Sequence, residues 1–226
     1  MIQEISKLAK KKGYVIYEEP YRLNIWGFRA NSQTPNAFDD EMHVFTNIAQ
    51  TGRPKWLYMV FKCTTDPGTF WLKNPMNAQG TAILNPSQYI DTYQIGLHRG
   101  KYKALIQTGG KVNVTRDYDR DAVLDFNNGK IGSGFFGINI HRASQIGSTL
   151  VVDKYSAGCQ VFKSASDFDF FMKLCEVHRS FHGNKFTYTL VDERMESRQE
   201  LKTIAISGIL IALLLGGCYL IATENE

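Results

Sequence analysis

Residues 137–161 read GINIHRASQIGSTLVVDKYSAGCQV. Phe136–Ile140 and Gln160–Phe162 are short β-prone runs on either side of a polar, glycine-bearing connection, so two strands are expected here. The first is read as delivering His141 to its end. The second follows a turn of small residues, Ser156, Ala157 and Gly158, which leads into Cys159.

The same texture continues outward in both directions. Tyr14–Tyr17, Trp56–Cys63, Tyr93–His98, Ala104–Gln107, Val112–Thr115 and Phe186–Val191 are short β-branched and aromatic runs punctuated by Gly, Pro, Asn and Asp. Two helices stand out against it. Residues 1–13 place Ile2, Ile5, Leu8 and Ala9 at helical spacing and stop at Gly13. After the cysteine, Ser166 reads as an N-cap, Asp167 and Asp169 suit the first turn, Phe168, Phe171, Met172 and Cys175 share a face, and Gly183 ends the helix. The expectation is a β-rich α+β domain over residues 14–192, with a short N-terminal helix and one packed helix after the Cys159 turn.

Beyond a linker at 193–202, residues 203–222 (TIAISGILIALLLGGCYLIA) run for twenty positions without a charge, which is enough to cross a bilayer as a helix. Arg194, Arg198 and Lys202 precede the run, and only Glu224 and Glu226 carry charge after it. The positive-inside rule therefore predicts a tail anchor with the domain in the cytoplasm. The N-terminus shows no secretory h-region, in agreement with that side.

The whole chain of 226 residues is 43% hydrophobic, and its 26 basic and 22 acidic residues leave a net charge of +4 without a basic stripe. Nucleic acid is not implied as a partner. Cys63, Cys159, Cys175 and Cys218 form no C-x-x-C pair, so neither a zinc ribbon nor a disulfide framework is expected. Cys63 and Cys175 read as packing thiols, and His43, His178 and His182 as surface residues.

Cys159 and His141 carry the chemistry. A cysteine nucleophile acts as its thiolate, and a neighbouring imidazole stabilises that anion and then protonates a leaving amine. Ser156 is a candidate to orient the imidazole, and the N–H groups of Gly158 and Cys159 are candidates to meet an oxyanion. His98, Arg99 and Arg142 are candidate substrate-binding residues. No cofactor is required.

The pattern from His141 through Ser156-Ala157-Gly158-Cys159 resembles the signature of the L,D-transpeptidase catalytic domain. Resemblance to that family implies a β-rich fold, a Cys159/His141 dyad, a thioester on Cys159 and a substrate amide following the diamino acid of a peptidoglycan stem peptide. Two positions depart from the family pattern. Arg142 stands where Gly usually follows the His, and Val161 replaces the Arg two residues beyond the Cys. The wider wording, including TTDPGTFWL at 64–72 and YQIGLHRGKYKALIQ at 93–107, looks like a bacteriophage-encoded group carrying this domain. An endolysin-like role in cell-wall lysis follows from the resemblance, with hydrolysis favoured over transpeptidation. A cytoplasmic domain would then be stored on the inner face until the wall is accessible. The alternative is a membrane-anchored structural or virion-associated protein that keeps the fold without turnover.

Asp117, Asp119, Asp121 and Asp125 make D-x-D-x-D-x-x-x-D, similar to the first half of a calcium loop. Ala122 stands where such a loop has Gly, and Asn128 where it has Glu. The first reading is a solvated acidic hairpin between Thr115 and Phe135, and the second is a Ca2+ site.

Overall fold

Along the chain come α1 (Ile2–Lys12), β1 (Asn24–Arg29), β2 (Asp40–Asn47), β3 (Trp56–Thr64), α2 (Thr69–Lys73), β4 (Thr81–Leu84), β5 (Ser87–His98), β6 (Tyr102–Gln107), β7 (Val112–Asp117), β8 (Ile131–Gly134), β9 (Ile140–Arg142), β10 (Gln160–Phe162), α3 (Ala165–His182) and β11 (Phe186–Asp192). This computed structural model describes residues 1–195 apart from 33, 127 and 128. The expected membrane run at 203–222 lies outside the described residues, as does most of the linker. Among the described residues no helix is long and apolar enough to cross a membrane.

Eight of these strands close into a barrel in the order β1-β11-β5-β6-β9-β10-β3-β2, and β4, β7 and β8 form a separate antiparallel sheet. The β-rich α+β expectation is met. Most neighbours in the barrel are antiparallel, but β1 pairs with β11 and β9 with β10 in parallel.

The barrel wall is buried on both faces where α1 lies against it. Ile2, Ile5, Leu8 and Ala9 pack on Trp26, Phe28, Phe45, Tyr58 and Val191, while Ile25, Met42 and Val44 belong to the main core. That core joins Phe61, Tyr93, Leu105, Ile140, Phe162 and Tyr188 to Phe168, Phe171, Met172 and Cys175 of α3. Cys63 and Cys175 are buried, as expected for packing thiols.

Several local expectations are corrected. Tyr14–Tyr17 forms no strand: the Val15 N–H is taken by Gln88 Oε1 and the Tyr17 N–H by Asn24 Oδ1, so side-chain amides replace a ladder. The N-cap of α3 is Ser164, whose Oγ accepts from the Asp167 N–H, and Ser166 lies inside the helix. His43 and His178 are buried rather than on the surface, and each is hydrogen-bonded through both ring nitrogens. Residues 136–139 are also not a strand. The N–H groups of Phe136, Gly137 and Ile138 converge on one acceptor, Gln107 Oε1, at 2.9–3.2 Å. His141 accordingly sits within β9 and not at the end of a longer strand.

Candidate functional site

The parallel register of β9 and β10 sets Gln160 beside Ile140 and Val161 beside His141. Alternation turns Ile140 and Phe162 into the core and puts His141 and Val161 on the opposite face. Cys159 immediately precedes β10 and packs half-buried against the cluster of Phe38, Val152 and Val161, so it is carried on the strand next to that of His141.

The backbone at Cys159 is tightly specified. Gly158 has φ +115°, and a Cβ there would run into the carbonyl oxygen of Ala82 on β4, so only glycine fits. Ser156, fully buried, donates its hydroxyl to the Cys159 carbonyl at 2.8 Å and accepts the Gly158 N–H at 3.2 Å. It therefore shapes the turn and does not touch the imidazole. Of the two N–H groups expected to meet an oxyanion, that of Gly158 is engaged by Ser156, and that of Cys159 is uncommitted among the described residues.

The sulfur itself is held by the segment before β9. Cys159 Sγ accepts the Asn139 N–H and donates to the Gly137 carbonyl, both at 3.4 Å. His141 Nδ1 lies 2.8 Å from the Arg142 carbonyl oxygen, a geometry that makes Nδ1 the protonated nitrogen and leaves Nε2 as the base. The backbone of Arg142 thus does the orienting assigned by sequence to Ser156. Tyr102 Oη sits 3.3 Å from both Nδ1 and that carbonyl. Among the described residues, no hydrogen bond joins Cys159 to His141 directly.

Both members of the pair are neutral at rest. Burial pushes the His141 imidazole down to about 3, with the charge of His98 adding to the effect. Burial also pushes the Cys159 thiol up to about 11, opposed by the Asn139 N–H and by the charge of Arg99. The expected thiolate–imidazolium pair is therefore not the resting state, because burial penalises the charged form of each group.

The other candidates divide. His98, 7% exposed, stacks on His141 with ring centroids 4.1 Å apart and accepts from Asn139 Nδ2 at 3.1 Å. Arg99 is exposed in the β5–β6 turn at φ +50°, where its charge reaches both Cys159 and His141. Arg142 pairs with Asp169 of α3 at 3.2 Å and lies over the Tyr102 ring at 4.5 Å, lining a shallow groove with Phe168, Met172 and Glu176. Tyr102 belongs with His98 and Arg99 to a strand-end polar cluster that the sequence suggests and stands at His141, whereas Asn139 and Gln107 were missed as site residues. Their roles run through backbone groups and hydrogen bonds that no spacing rule encodes.

The acidic stretch forms the β7–β8 hairpin, as expected in outline. Carboxylate oxygens of Asp117, Asp119 and Asp125 lie within 4.8 Å of one another. Asp121 stands apart from that group and accepts the Val123 N–H at 2.6 Å. Burial and the neighbouring carboxylates raise Asp117 to about 6.

No family model, no curated protein and no solved structure matches the chain.

Proposed function

We propose that the protein is a cysteine-dependent acyl-transfer enzyme acting on amide bonds of peptidoglycan stem peptides, with Cys159 as nucleophile and His141 as general base and acid. The observation that carries this reading is the β9–β10 register. It sets an oriented imidazole and a half-buried thiol on one face of adjacent strands, beside an uncommitted backbone N–H.

The chemistry follows from the neutral pair. As Cys159 Sγ attacks the amide carbonyl, its proton passes to His141 Nε2, so the charges develop only during attack. The Cys159 N–H meets the developing oxyanion. His141 then protonates the departing amine and a thioester remains on Cys159. Water, deprotonated by His141, opens the thioester and returns the thiol. An amine acceptor would give transpeptidation instead, and the bacteriophage resemblance favours hydrolysis. The direct Cys159–His141 hydrogen bond forms with substrate in place, because catalytic hydrogen bonds in free enzymes are often loose and tighten in the complex. Arg99, exposed at the rim, suits a stem-peptide carboxylate, a role that Val161 cannot fill.

In the same reading, residues 203–222 tether the domain to the inner face of the membrane until the wall becomes accessible, and the role is lysis. The test is mass spectrometry of purified peptidoglycan incubated with the full chain and with Cys159→Ala. New stem-peptide fragments from the wild type alone support the reading and identify the bond. No new species from either protein overturns it in favour of a non-catalytic, membrane-anchored structural protein.

A further inference from the structure

We propose that the β7–β8 hairpin holds a hard divalent cation, calcium, between the carboxylates of Asp117, Asp119 and Asp125. The proposal stands apart from the cysteine chemistry. Their carboxylate oxygens all lie within 4.8 Å of one another, so small side-chain adjustments would bring all three to a Ca–O distance of about 2.4 Å from a single ion.

A separate observation points to a ligand. Asp117 is 1% exposed, and its Oδ1 is buried with no hydrogen-bond partner, while Oδ2 accepts the Asp125 N–H at 3.0 Å. A buried carboxylate oxygen without a donor is costly, and a cation beside it removes that cost. The donor set contains only oxygen, with neither thiolate nor imidazole, which selects calcium or magnesium over zinc or copper. An irregular hairpin linking the three ligands suits the flexible coordination of calcium better than the strict octahedron of magnesium.

The structure also revises which acids of the repeat take part. Asp121 turns its carboxylate to the Val123 N–H, outside the group of three. The site would act on the fold near the nucleophile. Asp117 pairs with Thr81 across β7 and β4, and the next residue, Ala82, presents the carbonyl that abuts Gly158. Past β8, the chain reaches Gly137 and Asn139, which hold the sulfur. A bound ion would therefore stiffen two approaches to Cys159.

The experiment uses the full chain, stripped with EDTA and titrated calorimetrically with CaCl2 and separately with MgCl2, with thermal unfolding in parallel. One Ca2+ per chain is expected, with Mg2+ at least tenfold weaker. At a hundredfold excess over Kd the unfolding midpoint should rise by roughly 5–10 °C. Asp119→Asn and Asp125→Asn should each weaken Ca2+ at least tenfold, and Asp121→Asn should stay within twofold of wild type. Circular dichroism checks that the variants fold, and either ligand variant suffices if the other does not. Absence of both heat and a midpoint shift at about 10 mM Ca2+, well above the usual range for protein sites, overturns the proposal. So does equal loss in Asp121→Asn and the ligand variants, or Mg2+ binding as tight as Ca2+.

Discussion

The imidazole of His98 lies on that of His141, with centroids 4.1 Å apart and planes inclined by 26°. Two imidazolium rings in that contact would repel strongly, and the surrounding burial already penalises either charge. Burial, with the charge of Arg99 adding to it, pushes His98 down to about 4, and burial, with the charge of His98 adding to it, pushes His141 down to about 3. The arrangement keeps His141 unprotonated across the physiological range and makes it a weak base in the free protein.

Imidazole NMR titration of the full chain checks this. His141 should remain in its neutral form from neutral pH down to about pH 5, well below the usual histidine midpoint. His98→Ala removes one charge and admits water, so the His141 midpoint should move up. A wild-type midpoint near 6.5 would show that the stack does not hold the ring neutral.

Alkylation of Cys159 reports the other half of the pair. A thiol raised from 9.0 to about 11 carries about a hundredfold less thiolate at neutral pH, so labelling by iodoacetamide should be slow and should still be climbing above pH 9. Arg99 favours the thiolate, so Arg99→Ala should slow labelling further. Peptide mapping assigns the label to Cys159. Fast labelling at pH 6 that is insensitive to Arg99 would contradict a neutral resting thiol.

What was legible in the sequence had local physical causes. α1 was readable because one face of a short helix meets the barrel and Gly13 closes it with φ +69°. β3, β6, β7, β10 and β11 announced themselves by β-branched and aromatic residues. β1 and β2 did not, because α1 covers the outside of the wall: with Ile25 in the core and Trp26 and Phe28 under the helix, no alternation remains to be seen. The Cys159/His141 pair was legible through spacing, whereas its support was not. Gln107 gathers three N–H groups from 29–31 residues away, and Asn139 links the sulfur to His98. Such contacts exist only once the barrel has closed.

His178 should couple stability to pH. Its Nδ1 accepts the Leu23 N–H at 2.9 Å and its Nε2 donates to the Lys185 carbonyl at 3.0 Å, so the neutral ring ties α3 to the chain on both sides. Burial lowers its pKa from 6.5 to about 4, and protonation would set a second N–H against that of Leu23. The unfolded state binds this proton more readily. The stabilisation is therefore complete above pH 6.5 and is lost as pH falls toward 4. The loss is on the order of 3 kcal/mol at most. His178→Gln retains a donor and an acceptor without titrating, so urea unfolding at pH 7.5 and pH 5 should show a smaller difference for the variant. Asp40, raised to about 7, contributes the opposite slope, but equally in both proteins. Equal differences in the two proteins would refute the assignment to His178.

Gly27 and Tyr188 should be coupled, and through them the nucleophile strand. Tyr188 Oη donates to Gln160 Oε1 at 2.8 Å inside the barrel, and Gln160 directly follows Cys159. The hydroxyl fits only because position 27 lacks a Cβ: a methyl group there would collide with Tyr188 Oη and lie 2.9 Å from its Cζ. Gly27→Ala should therefore destabilise the chain by about 2 kcal/mol, within the range for overpacking a filled core. Tyr188→Phe should cost about 1–2 kcal/mol, because Gln160 Oε1 loses its buried donor. In the double variant the ring without its oxygen has room to shift away from the added methyl group, so the combined loss should fall short of the sum by at least about 0.5 kcal/mol. Equilibrium unfolding of the four proteins measures that coupling. Alkylation of Cys159 in the same set reports whether the displaced tyrosine reaches the site, with Gly27→Ala altering the rate and the double variant restoring part of it. Strict additivity in stability, together with an unchanged rate in Gly27→Ala, would mean that the barrel absorbs the methyl group elsewhere and that Tyr188 does not hold the cysteine strand in register.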